Sequence, residues 1–277
     1  MPNRPSAKLV ALAVAGGAVA FLAAKAVQRS RGPDEEADEA ATYPPRNTLK
    51  PVGENIWIVD SGPIHPGGVA LPIRMTILRL RSGDLLLHSP TEISEALGDE
   101  VRALGPVRHL VAPNIAHWTL LGEWQTRFPD ALTWAAPGLR DRAQVRASGL
   151  RLDRDLIERA PPEWDGEVDQ GLIRGTGFSE VYFFHRQSRT LILTDVVQHM
   201  PSDRLPAWTR AFVLLSGANA GTTPRYLRTI LRLRRREAAR AFDEMLGLAP
   251  ERVIFAHGEW FERDGANRLR QALSWLV

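Results

Sequence analysis

Four apolar runs of strand length in this chain each break on a histidine or an aspartate. LLLHSP closes on His88 and LILTD on Asp195, while VIFAHG closes on His257 and Gly258. The fourth, in RHLVAPNIAHW, runs through Leu110 to Ala112, breaks at Pro113 and Asn114, and meets His117 just before a helix-like segment. In open α/β sheets, ligands gather beyond the carboxyl ends of strands, where loop side chains converge without disturbing the core. Runs that all end this way predict one polar site at one edge of a sheet.

The 277 residues allow one large domain or two smaller ones, and 44% apolar content suffices for a core. The chain has no cysteine. Disulfides, thiolate metal sites and cysteine nucleophiles are therefore excluded, and any metal must be held by His, Asp, Glu, Asn or water.

Three regions follow one another. Residues 1–31 contain the uncharged stretch Leu9–Ala24, flanked by Arg4 and Lys8 and by Lys25, Arg29 and Arg31. As a helix it spans about 24 Å, short of a bilayer core of roughly 30 Å, so spanning requires Lys8 and Lys25 to snorkel. It reads first as an uncleaved single-pass anchor that makes the protein membrane-associated. The alternatives are a signal peptide cleaved at Ala24-Lys25-Ala26, which exports the protein, and a tail that leaves it cytoplasmic. Residues 32–51, with the acidic run DEEADEA and several prolines, read as a linker. Residues 52–277 read as the globular domain.

Within that domain NIWIVDS is the predicted first strand, and RMTILRLRSGDLLLHSP a hairpin turning at Ser82 to Asp84. Thr91 is the expected N-cap of TEISEALGDEVRAL. A second hairpin, EVYFFHRQSRTLILTD, turns at Arg186 to Arg189. Trp208 to Leu248 reads mainly helical, with Pro224 at a helix start. Strands and helices interleave as an α/β pattern of two hairpin-bearing halves.

A zinc or iron site wants three or four His or carboxylate ligands and an open position for a water whose pKa the metal lowers to about 7. His117, Asp195 and His257 suit that role, and His88 or Asn114 offers a fourth group. Each also has a plainer explanation: a backbone contact for His88, a helix cap for His117, a turn residue for Asp195. His185, beside Arg186 and Arg189, reads as exposed and structural. No G-x-S-x-G elbow surrounds Ser89, and SGANAGTTP lacks the Gly-Lys-Ser/Thr ending of a phosphate-binding loop.

The order of hairpin, helix, strand with a ligand loop, then GTGFSEVYFFHRQSRTLILTD and IFAHG resembles the metallo-β-lactamase superfamily over Asn55 to Val277. More closely, RMTILRL, LLLHSP, GPVRHLVAPNIAHW, FFHRQSRTLILTD and AHG resemble an uncharacterised branch of it, domain of unknown function family 4336. The resemblance implies a four-layer αββα sandwich and, at Asp195 and His257, the superfamily's bridging aspartate and late histidine. Where the H-x-H-x-D-H signature ends on His117, its other positions hold Ala112, Asn114 and Ala116, and Thr176 replaces the later Gly-His-Thr histidine. A dinuclear site is not expected. A remade mononuclear one, with His88, His117, Asp195 and His257 as ligands and Asn114, Thr176 and Glu180 in the pocket, is.

The expected function is hydrolysis of an ester, amide or phosphoester with one zinc, iron or manganese ion. The alternative is an inactive relative that binds no metal and serves as a membrane-proximal scaffold or binding protein. The composition is compatible with either. The arginine-rich RYLRTILRLRRREAAR, Arg225 to Arg240, reads as a core helix with a solvated basic face, or as a contact for anionic lipid. No nucleic-acid partner is expected, since no binding module accompanies the arginines. The small-molecule substrate is not legible in the sequence.

Overall fold

The computed structural model of the chain describes residues 35–203 and 205–276. Alternation along the strands, with successive side chains on opposite faces, divides the apolar residues into separate layers. In β2 (Ile56–Ile64), β3 (Leu71–Arg79) and β4 (Leu85–His88), the residues Val59, Met75, Ile77, Leu85 and Leu87 point one way, and Ile58, Leu78 and Leu86 the other. Strand β3 is buried on both faces, covered along almost its whole length.

These strands belong to a seven-stranded sheet in sequential order. It begins with β1 (Lys50–Gly53) and continues through β5 (Val107–Ala112), β6 (Leu132–Ala135) and β7 (Arg154–Asp155). The pairing changes from antiparallel to parallel at β4–β5. Parallel neighbours need a crossover, supplied by α2 (Glu95–Leu104) before β5 and α3 (Leu121–Arg127) before β6. A second, four-stranded sheet runs β11-β10-β9-β8, from β8 (Val168–Gly175), β9 (Phe178–His185), β10 (Thr190–Ile192) and β11 (Arg252–Ile254).

Three apolar clusters make the layering explicit. Leu97, Val101, Leu121 and the fully buried Trp124 of α2 and α3, with Val145 of α4 (Ala143–Ser148), cover the outer face of the first sheet. Ile58, Leu78, Leu86 and Val111 meet Val181, Phe183, Ile192 and Ile254 between the sheets, with Trp134 and Trp164 filling the space. The outer face of the second sheet, including Tyr182, Phe184 and Val253, is covered by Leu231, Phe242, Met245 and Leu269. Those residues come from α6 (Arg225–Arg232), α7 (Arg235–Gly247) and α8 (Gly265–Leu273). Helix, sheet, sheet, helix is the four-layer αββα sandwich.

Several local expectations are corrected. Residues 35–51 are not a free linker: a short α1 spans Glu35–Ala40, Ala41 and Thr42 are buried, and β1 pairs with β2. The cap of α2 is Ser94, whose hydroxyl accepts from the Leu97 amide, because Thr91 sits buried before the helix begins. His185 is buried rather than exposed, bonded through Nδ1 to Ser188 at the hairpin turn. The arginine-rich stretch is two helices, broken at Leu233 and Arg234, and each turns its own apolar face onto the second sheet. The stretch Leu9–Ala24 lies outside the described residues.

Candidate metal centre

The four broken runs lie in or beside one place. β4, β5, β10 and β11 are neighbours within their sheets, and the loop after β5 stitches the sheets together: the Val181 amide donates to Pro113 O (2.8 Å), and Asn114 bridges to Glu180. At this junction His117 Nε2 stands 3.3 Å from Asp195 Oδ2, and His257 Nε2 stands 3.1 Å from Asp195 Oδ1. One ligand atom from each of these three residues lies within 4.8 Å of the others.

Local chemistry fixes each of them. Asn114 Oδ1 accepts from the Ala116 and His117 amides (2.8 and 3.0 Å), folding the loop so that His117 turns back toward the strand ends. Its Nδ2 donates to Asp195 Oδ2 (2.6 Å) and Thr194 Oγ1 (3.0 Å). Both ends of the amide are thus engaged, and Asn114 is a strut for Asp195 rather than a fourth ligand. Glu180 is the anchor of the Asp195 turn: its buried carboxylate accepts from the backbone amides of Thr194, Asp195 and Val196 at 2.8, 2.8 and 3.2 Å.

Two further contacts set the imidazoles. The Ser89 hydroxyl lies 2.7 Å from His117 Nδ1, and the Pro72 carbonyl 2.7 Å from His257 Nδ1. A carbonyl only accepts, so His257 carries a proton on Nδ1 and presents Nε2 to Asp195. Ser89 holds left-handed backbone (φ +55), uncommon for serine, and its hydroxyl reaches the side of the ring away from Asp195. It is a positioning residue, not a nucleophile facing the cluster. Gly258, at φ +97, is required after His257: a Cβ there would stand 1.9 Å from the His199 carbonyl oxygen.

His88 and Thr176 fall outside the cluster. His88 lies on the inner face of β4, edge-on to Phe183 at 5.0 Å, and its buried Nε2 has no hydrogen-bond partner. It floors the site without joining the ligand set. Thr176 sits at the β8–β9 turn with its amide on Ile230 O. Thr176 precedes Glu180 by four residues, roughly 13 Å along the strand. Residues without a signal in the sequence include Pro72, Gln198, whose Nε2 is 3.4 Å from Asp195 Oδ1, and Tyr226, whose hydroxyl is 3.3 Å from the same Gln198 nitrogen, while Ser89 stands out there only as a nucleophile without its elbow.

The charged groups of the site set one another's protonation. Burial alone would raise the Asp195 carboxyl, but the charge and hydrogen bond of His117 and the hydrogen bond of His257 overcome it and hold it well below the ordinary range. Burial likewise opposes protonation of His117, yet the Asp195 carboxylate outweighs it and the pKa is raised. Glu180 is pushed up by burial and by Asp195, against the pull of its backbone amides.

His88 is held down from 6.5 to about 3 by burial, then by the nearby His117 charge. Between those values the unfolded chain binds a proton that the folded chain refuses, so stability falls with acid. The expected contribution is about 1.4 kcal/mol for each pH unit below roughly 6. Denaturant titrations of the parent and His88→Leu across pH 4.5 to 7, roughly the upper part of this window, should show that part of the slope vanish in the variant. An unchanged slope would contradict the buried, neutral His88.

The layers and the site at the strand ends define a metallo-β-lactamase type of fold. Among solved structures, DIM-1 metallo-β-lactamase is 14% identical, with 81% of this chain and 95% of that one covered at a TM-score of 0.58. The metallo-β-lactamase FIM-1 from Pseudomonas aeruginosa in its mono-zinc form is 15% identical, covering 81% and 93% at 0.53. A metallo-β-lactamase from Pontibacter korlensis is 14% identical, covering 83% and 98% at 0.52. At such identities the likeness is one of fold. The chain itself belongs to the DUF4336 family, a domain of unknown function, whose model matches residues 54–224. No curated protein matches it.

Proposed function

We propose that the chain is a hydrolase that holds one divalent metal ion between His117, Asp195 and His257 and acts on an ester, amide or phosphoester. The observation that carries this reading is the convergence of two imidazole Nε2 atoms and a carboxylate within 4.8 Å, while each imidazole's other nitrogen is already bonded to Ser89 or Pro72. Metal-binding histidines ordinarily have such partners on the far nitrogen. The donor set fits one ion. Ala112, Asn114 and Ala116 supply no second set.

Zinc, iron or manganese held there would supply a Lewis acid that polarises a substrate oxygen and acidifies water. The chain's own contribution is orientation. Ser89 and Pro72 keep both rings turned inward, and Asn114 and Gln198 hold Asp195 between them. Tyr226, partly exposed beside the site, accepts a hydrogen bond from Gln198, which leaves its phenolic proton free to donate to a substrate oxygen. Burial and the Asp195 charge raise its pKa, which keeps that proton in place at neutral pH.

A second reading, an inactive relative that serves as a scaffold, is favoured by one feature: Asp195 is already engaged by both imidazoles, Asn114 and Gln198. The two readings separate on turnover. Chromogenic esters, phosphoesters and anilides are offered to protein loaded with zinc, iron or manganese. Hydrolysis is expected to fall at least ~100-fold in Asp195→Ala, whose loss removes a ligand and its orientation of the others. Absence of turnover with every ion, or turnover unaffected by Asp195→Ala, would favour the scaffold.

A further inference from the structure

Helix α5 (Ala207–Ser216) leaves an apolar face bare. Thr209, Val213 and Ser216 turn inward, and Val213 joins a small cluster with Ala41, Ala70 and Met200. Trp208 and Leu215, in contrast, are 64% and 74% exposed, and Leu214 is 47% exposed. Residues 208, 211 and 215 follow the spacing of a single helical stripe, and position 211 is an exposed alanine. Single exposed leucines are ordinary, but an apolar stripe rimmed by polar residues marks a contact surface.

The chain that continues from this face is basic, although Asp203 precedes the helix and Asp38 of α1, paired with His65, lies near it. From Leu205 to Arg236 the sequence holds seven arginines and no aspartate or glutamate. Arg225 lies against the end of the stripe, with its guanidinium donating to the Leu215 carbonyl. Tryptophan and leucine on one side of a helix with arginines at its margin is the pattern of a helix lying in the boundary between lipid headgroups and acyl chains.

The path of the chain points to the same partner. Asp38 in α1 pairs with His65 at 2.8 Å, His65 precedes the short helical turn Pro66–Gly68, and Gly67 O accepts from the Trp208 indole. Ala41 packs in the cluster of Val213 and Phe212. The chain therefore joins the fold beside α5. The residues that precede this point include Leu9–Ala24, an uncharged stretch followed by Lys25, Arg29 and Arg31. A bilayer that takes up that stretch is tethered through ten residues, at most about 35 Å of chain, to α1, which joins the fold beside α5.

We propose that α5 is a membrane-docking face, resting on an anionic bilayer with Trp208, Leu214 and Leu215 at the acyl boundary and Arg225 among the phosphates. The proposal is independent of the metal site, although docking brings Tyr226, and with it the approach to Asp195, close to the lipid surface.

The lack of cysteine makes the test direct. Full-length Leu215→Cys and Asp141→Cys variants each carry one thiol, which takes a bimane label, and iodide quenching is read with and without vesicles. Phosphatidylcholine vesicles and the same vesicles containing one part in three phosphatidylglycerol are compared. With anionic vesicles, quenching at position 215 is expected to fall at least ~3-fold, in line with burial in the headgroup boundary. The label at 141 should stay accessible, added salt should reverse the protection, and Trp208→Ser with Leu214→Ser should abolish it without changing the circular dichroism. Equal quenching at both positions in chain that floats with the vesicles would overturn the proposal, as would failure to float. So would protection that appears without lipid and grows with protein concentration, which would assign the face to a second copy, or protection that is indifferent to lipid charge.

Discussion

Glu180→Gln is expected to cost about 2–4 kcal/mol of folding stability, because the replacement turns an amide N–H₂ toward backbone donors that now share a carboxylate. The three amides of Thr194, Asp195 and Val196 all end on Glu180, in a place without exposure to water. A glutamine offers one oxygen, so at least one of these amides loses its acceptor and faces an N–H₂ instead. The consequence reaches the site, since the amides belong to the turn that carries Asp195. Metal affinity is expected to fall at least ~10-fold, the usual scale for a residue that orients a ligand without touching the ion. Urea unfolding and a competition titration with a chromophoric chelator check the two effects. A Glu180→Gln protein with parental stability and affinity would show that the turn holds itself.

Arg74→Ala should be at least as damaging, at about 3–5 kcal/mol, the range for breaking a buried ion pair from one side. Its guanidinium, almost wholly buried, lies 2.6 Å from Asp60 Oδ1 and donates to the carbonyls of Phe255 and Gly258, both at 2.8 Å. Those carbonyls flank His257. With Pro72 O on His257 Nδ1, two residues of β3 thus hold the whole β11 loop against the first sheet. Lys50, 2.8 Å from Asp60 Oδ2, keeps one partner for the carboxylate but does not replace the two carbonyl contacts. Pairing Arg74→Met with Asp60→Leu removes both buried charges and is expected to recover much of the stability, but not the metal affinity, because the loop stays unheld. Recovery of both would mean that Arg74 matters only as a charge.

The strand ends were the legible part of the site. An apolar run that breaks on His or Asp is a local signal, and it points to His117, Asp195 and His257, which the fold brings together. Asn114 and Glu180 were legible as pocket residues but not in their roles, because a strut and a carboxylate anchor depend on what stands opposite. Pro72 and Arg74 leave no local trace, and Ser89 is legible only as a serine beside His88, not as the partner of His117: Pro72 and His257 are 185 residues apart, and a backbone carbonyl has no sequence signature at all. His88 misled for the opposite reason. It has the strand-end placement of its companions, but the alternation of β4 turns it into the layer between the sheets, against Phe183. The arginine-rich helix misled by continuity, since its apolar spacing runs through the break at Leu233 and Arg234 without a proline or glycine to mark it.

The central claim is that His117, Asp195 and His257 act together on one ion. Metal content by inductively coupled plasma mass spectrometry, on full-length chain purified without chelator beside His117→Ala, Asp195→Ala and His88→Leu, tests it most directly. The expected result is about one zinc, iron or manganese per parental chain, the stoichiometry of a three-ligand site. That ion should be lost in the His117 and Asp195 variants and kept in His88→Leu. A parental chain that takes up no ion after dialysis against each metal, or an ion that survives Asp195→Ala, would contradict it.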